Sequence, residues 1–375
     1  MEKSSHYYAI LALCRICGMK KDIALRIAYA SQYVDDAKIN HFRFLEPKVS
    51  DELFEERNEK QILVNVATCH SYFIVKTFNY QAMINNTSAF HFVPGCEGKV
   101  FTKKMRCAAD CKVINDIIEK SYKGEPEQFG MLLHTYADTF VHQGFSGLIS
   151  KENDIEKLQG KPLDVNLKTK AIKLLRRFTK NRFDIYFDKI MPAYGHGQAT
   201  MNPDTPYLKW SYEFDPSDTF KGLAYEKSVV DNKLRFTQAF KRIKEKINTY
   251  LNKNPEFKDQ DLFREKSNEL LEKFLEILVT PAKIKKKIKI WQRFMFNREL
   301  FKKSQDNITY DDQKWLKEAF EDYSKKKFYA RKVLDVRLKK NYKETSWYKY
   351  IKAVKWYKKL LFPTLIKHGL DIPNY

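Results

Sequence analysis

Through the first half of the chain, apolar residues return at the three- and four-residue intervals of a helix, and glycines mark most of the breaks. Ile23, Ala24, Ile27, Ala28 and Ala30 predict a helix over 21–37, closing on the carboxylates Asp35 and Asp36. A shorter helix over 5–17 precedes it, with Ser4 or Ser5 as its cap and Gly18 as its stop. Further helices are expected over 103–121, 126–142 and 164–190, the second of them halted by Gly144 and Gly147. Residues 60–75 are rich in β-formers and predict a strand or extended segment carrying His70. Phe90 to Gly95 forms an aromatic loop containing His91. Gly195 and Gly197 flank His196 in another loop, and a proline-bounded turn presents Asp204.

Beyond residue 216 the pattern turns to long charged helices, at 226–252, 260–279, 283–304, 311–328 and 345–361, without an internal repeat. The expected fold class is therefore all-α. A multi-helix metal-binding lobe over 1–215 would be followed by a basic helical lobe over 216–375.

Charge sharpens that division. Residues 1–200 hold 29 Lys+Arg against 23 Asp+Glu, whereas residues 201–375 hold 40 against 24. The net charge of +22 favours a polyanionic partner such as a nucleotide, nucleic acid or an anionic membrane surface. A lysine-rich solvated surface would carry the same charge without a ligand. No run of residues is long and apolar enough for a membrane span, and the N-terminus lacks the layout of a secretory leader, so the expected location is cytoplasmic. All six cysteines lie within the first 111 residues. The pairs Cys14/Cys17 and Cys107/Cys111 have spacings that zinc accepts, but they sit in helix-like sequence without a knuckle glycine and read as buried free thiols.

The most informative stretch is His134-Thr-Tyr-Ala-Asp138-Thr-Phe-Val-His142. Steps of four residues place His134 and Asp138 about 40° apart on one helical face, with His142 about 12 Å along the axis from His134. An otherwise apolar helix that buries three such groups must satisfy them, and a divalent metal does so economically. One such His/Asp pair alone is often a plain side-chain contact. Here seven of the eight histidines fall in the first 196 residues, which suits a site assembled from several helices. The candidate ligands are His6, Asp36, His70, His134, Asp138, His142 and His196. Asp35 and Asp36 are candidates for the catalytic base or for orienting a water, with either one free to be the ligand. Arg43, His91 and Arg235 are candidates for binding substrate, and His41 for lining the pocket. Mixed imidazole and carboxylate ligands suit one to three divalent transition ions, zinc first, with manganese or iron as alternatives.

This order of residues resembles the zinc-dependent phospholipase C and single-strand nuclease superfamily. His134-x-x-x-Asp138 matches its helix motif; His6, Asp36 and His70 match the earlier ligands, and His142 and His196 the later ones. Asp204 stands where that superfamily has a glutamate. The resemblance implies a helical metal cluster that hydrolyses phosphoesters. Its secreted members use their mature N-terminal amine as a ligand, whereas this chain starts several residues before His6. The stretches around His6, Asp36, His134 and Gly195-His196-Gly197-Gln198 also resemble a bacterial family of uncharacterised helical proteins. HD-domain phosphohydrolases are analogous in chemistry, but their adjacent His-Asp pair does not occur here.

The expected function is a metal-dependent phosphohydrolase or phosphodiesterase acting on a nucleoside triphosphate, a cyclic nucleotide or nucleic acid. Two other readings compete with it. A phospholipase C-like enzyme would expose an apolar rim, for which Phe90, Phe92 and Phe145 are candidates. A non-catalytic nucleic-acid-binding protein would hold a closed structural metal. Oligomeric state is not encoded in any motif of the chain.

Overall fold

The computed structural model describes residues 1–45, 51–70, 79–163, 193–217, 225–260, 262, 267–329 and 334–372. The chain opens in π-helical form over Ser4–Ala9 and continues directly into helix α1 (Ile10–Ile16). Gly18 follows with φ +83°, a left-handed turn that suits glycine. Helix α2 spans Lys21–Asp36. Strands β1 (His41–Phe44), β2 (Glu55–Arg57) and β3 (Lys60–Val64) come next. Helix α3 (Tyr80–Ala82) runs into a second π-helical stretch over Met83–Ser88, and α4 (Phe101–Lys104) and α5 (Lys112–Ile118) lead to α6 (Pro126–Val141). Strands β4 (Ile155–Gln159), β5 (Lys209–Phe214) and β6 (Glu226–Asp231) precede the long helix α7 (Asn232–Lys253). The remainder holds α8 (Ser267–Val279), α9 (Ile284–Asn297), α10 (Lys314–Ala319), α11 (Lys325–Tyr329), β7 (Leu334–Val336) and α12 (Ser346–Lys367).

The all-α expectation is overturned by two sheets. One has the order β2-β3-β1-β7, with β1 antiparallel to β3 and parallel to β7. The other is antiparallel, in the order β4-β5-β6. The fold is mixed α/β, and local chemistry explains why. In β5, Trp210 and Tyr212 recur at the two-residue period of a strand, and both bury against Phe92, Phe145 and Ile155. The helix expected over 226–252 begins only at Asn232, because the Asp231 carboxylate accepts from the Lys233 amide at 2.9 Å and caps it there. The six residues Glu226–Asp231, the cap included, pair with β5 instead. Of the extended segment expected over 60–75, Lys60–Val64 is strand and His70 lies beyond it; residues 71–75 fall outside the described residues, as does the helix expected over 164–190.

Helices α2 and α6 lie against each other across the centre of the molecule. Their approach depends on Gly130: a Cβ there would sit 2.2 Å from the Ile27 carbonyl oxygen and 2.8 Å from its Cα. This close crossing sets the C-terminal half of α6, with His134 and Asp138, beside Asp35 at the end of α2. An aromatic cluster continues outward from α2, with Tyr29 against Trp315 (4.2 Å between ring centroids) and Tyr33 against Tyr350 (5.1 Å). Helix α12 buries Trp347, Tyr350, Ile351, Val354, Tyr357 and Leu361, a helical stripe facing that core. Replacing Gly130 by alanine forces backbone apart on the crossing, so Gly130→Ala is expected to destabilise by about 1–3 kcal/mol in urea unfolding, despite alanine's better helix propensity.

Candidate metal centre

Each segment that supplies a donor has a local reason for its place. His6 lies in the opening π-helix, and His91 follows the second one. The wider turn of a π-helix shifts side chains off the regular α register, a device common at functional sites. His134 and Asp138 share the inner face of α6, and His142 is its C-cap. His196 and Asp204 come from the turns before β5.

These groups form three sets whose donor atoms lie within 4.8 Å of one another: His6, His134 and Asp138; Asp35, His91 and His134; and His142, His196 and Asp204. Asp138 sits between them. Its Oδ1 is 3.1 Å from His6 Nε2, and its Oδ2 is 3.2 Å from His91 Nδ1 and 3.3 Å from His134 Nε2. Asp35 Oδ1 stands 3.9 Å from both His91 Nδ1 and His134 Nε2. Asp204 faces His142 Nε2 at 3.0 Å and His196 Nε2 at 3.4 Å. The Met1 ammonium adds contacts of 2.9 Å to Asp138 and 3.1 Å to Asp204.

Main-chain carbonyls decide which ring nitrogens carry hydrogen. His91 Nε2 donates to the Thr68 carbonyl at 2.9 Å, His142 Nδ1 to the His91 carbonyl at 2.7 Å, and His196 Nδ1 to the Thr200 carbonyl at 2.8 Å. A carbonyl only accepts, so the opposite nitrogen of each neutral ring presents a lone pair. All three lone pairs point at carboxylates. Lone pair against lone pair near 3 Å is repulsive unless a proton or a cation lies between, and this arrangement is the usual one around a metal-ligating histidine. The residues present thus fit one or more divalent transition ions.

The surroundings bias the titration in the same direction. Burial, followed by the neighbouring histidines, holds His6 and His70 well below the ordinary imidazole value; burial also lowers His134, and takes His196 to about 4. Burial works to raise Asp138, but the Met1 ammonium, His142, His134 and His6 keep it ionised well below the usual carboxylate range. Asp204 is held down in the same way against its own burial. Burial instead raises Asp35 to about 7.

The candidates divide clearly by position. His6, His134, Asp138, His142 and His196 come together. Asp35 and His91 join them as potential ligands, a role the sequence left open for Asp35 and did not give to His91. Asp204 joins as a full member of a set. His70 stacks 4.4 Å from the His91 ring, beside the sets without belonging to one. Asp36 points away, accepting from Tyr310 Oη at 2.8 Å and from Gln32 Nε2 at 3.2 Å. Arg43 forms a bidentate pair with Asp335, and His41 sits beside it on β1. Arg235 donates to the Val141 carbonyl at 3.2 Å, at the end of α6. Phe90, Phe92 and Phe145, expected as an exposed rim, are all buried. All six cysteines are free, and none belongs to a ligand set among the described residues.

The histidines make an acid-lability prediction for chelator-treated protein. His6, His70, His134 and His196 bind protons below 6.5 when folded and near 6.5 when unfolded, so the unfolded chain gains more protons as pH falls. Asp35 acts oppositely, adding stability at low pH that is lost as pH rises through about 7. Four imidazoles outweigh one carboxyl. Unfolding midpoints are therefore expected to drop between about pH 6.5 and about pH 4, and a flat midpoint over that range would contradict the buried, neutral histidines.

Among the described residues no helix is long and apolar enough to cross a membrane. Comparison with curated proteins gave no match, and neither did comparison with solved structures. A protein-family model does match, over residues 1–365, and the chain accordingly belongs to the family of unknown function DUF6765.

Proposed function

We propose that this protein is a metal-dependent hydrolase of phosphoesters, acting on a nucleotide or nucleic-acid phosphate. The observation that carries the reading is the convergence of imidazole lone pairs on Asp138 and Asp204, with ring tautomers set by main-chain carbonyls. The mixed nitrogen and oxygen donors favour zinc, with manganese or iron next. Three sets, two of them sharing His134, are more than one closed four-coordinate structural site requires, which favours a catalytic cluster of one to three ions. Such a cluster supplies an activated water and stabilisation of the leaving oxygen.

The chain's own residues divide the remaining work. Asp138 presents one oxygen to the His6 side and the other to the His91 and His134 side, so it would hold a metal together with those histidines. Asp35, 32% exposed where His91 and His134 are buried, is the member of its set that would meet a bound substrate and orient the attacking water. The resemblance of His134-x-x-x-Asp138 to the phospholipase C and nuclease superfamily supports phosphoester chemistry. Net charge of +22 supports a polyanionic substrate, and the burial of Phe90, Phe92 and Phe145 removes the apolar rim that a lipid substrate would need.

Elemental analysis of protein purified without a histidine tag is expected to find one or more equivalents of a transition metal, lost in His134→Ala/Asp138→Ala. In a phosphoester screen, Asp35→Asn is expected to lower turnover by about 10²–10⁴-fold while the fold is kept. Absence of stoichiometric metal in the wild type, with the double variant equally stable, would sink the proposal.

A further inference from the structure

The turn after α6 serves two places. His142 joins the ligand sets, whereas Gln143 and Gly144 line a separate cavity of about 460 Å³, within the usual range for small-molecule sites. No member of the three sets lines it.

Its wall is cationic. Lys103, Arg106 and Arg235 border it, against the carboxylate of Glu97. Lys103 is already neutralised by Glu152 at 3.0 Å. The two arginines are not. Arg235 donates one hydrogen bond, to the Val141 carbonyl at 3.2 Å, and Arg106 donates a long one to the Lys103 carbonyl at 3.5 Å. Among the described residues neither guanidinium forms an ion pair with a carboxylate. A guanidinium carries five N–H donors, so most of Arg235's fork is unused by these contacts. Arg235 is half-buried, and that burial holds its pKa below the ordinary value; no carboxylate is among the groups opposing the shift. The Tyr212 hydroxyl lies by Gly144, and Ser228 stands directly across the β5–β6 pair from Tyr212.

We propose that this cavity binds a phosphoryl group, clamped by Arg235 and Arg106, with the hydroxyls of Tyr212 and Ser228 as neutral donors. A planar fork matches two phosphate oxygens at once, and an anion supplies the missing opposite charge. Inorganic phosphate and the phosphoryl end of a monoester share this chemistry. The site stands on its own residues and does not depend on the metal-centre reading.

Calorimetric titration of the purified protein with inorganic phosphate, and separately with adenosine 5′-monophosphate, tests it. Stoichiometric binding is expected, weakened about tenfold or more by Arg235→Gln and by Ser228→Glu, which adds a carboxylate to the wall without removing packing. Arg235→Lys should lose less, since it keeps the charge and gives up the fork. Tighter binding of the nucleotide would assign the site to an esterified phosphoryl group; equal binding would assign it to free phosphate. Repeating the titration after chelation separates this site from phosphate held by metal. Binding unchanged in both Arg235→Gln and Ser228→Glu, or no binding of either probe, would overturn the proposal.

Discussion

One buried carboxylate organises the interior of this protein. Asp138 is 1% exposed, yet it is ionised, and everything near it is arranged to make that tolerable. Isolated charge in an apolar interior costs far more than folding can recover, so such a group persists only where opposite charge or hydrogen bonds surround it. Here the surrounding groups come from the chain's opening segment, from the loop after the second π-helix and from α6 itself. Removing Asp138 would leave the imidazoles and the Met1 ammonium without the carboxylate they converge on.

The ring of donors is held from outside by backbone. Thr68 is fixed by its hydroxyl, which donates to the Val34 carbonyl at 2.8 Å and meets Tyr350 Oη at 2.9 Å. Its carbonyl then sets the His91 tautomer, and the His91 carbonyl sets that of His142. Orientation thus passes from α2 and α12, through one loop residue, to two histidines in succession. Lys358 secures the same loop, donating to the Asn65 carbonyl at 3.0 Å and to Asn65 Oδ1 at 2.9 Å.

The α6 motif was legible in the sequence because helical spacing alone puts His134, Asp138 and His142 on neighbouring faces. What escaped depends on distant partners. Asp35 and Asp36 are adjacent, and Tyr310, far along the chain, shows which of them turns away from the ligand sets. Arg43 looked like a phosphate contact until β7 supplied Asp335. His91 does lie in a loop, as expected, but nothing in the apolar pattern marks the π-helix before it that brings its ring to the ligand sets. The missed strands have the same origin: β7 is three residues long and exists by pairing with β1, while β6 is fused to the front of a helix whose periodicity masks it. In β5 the two-residue alternation was present but short, and it fell between the expected turn at Asp204 and the helix expected from 226, where no element was assigned.

The hydrogen bonds from Tyr350 to Thr68 and from Tyr357 to the Ala89 carbonyl have a consequence for biosynthesis. Every candidate ligand, from His6 to Asp204, leaves the ribosome before the helix that braces Thr68 and Ala89. A nascent chain therefore holds these groups for some time without the contacts that fix their geometry. If the proposed ions bind there, any choice among competing cations would wait until that helix docks.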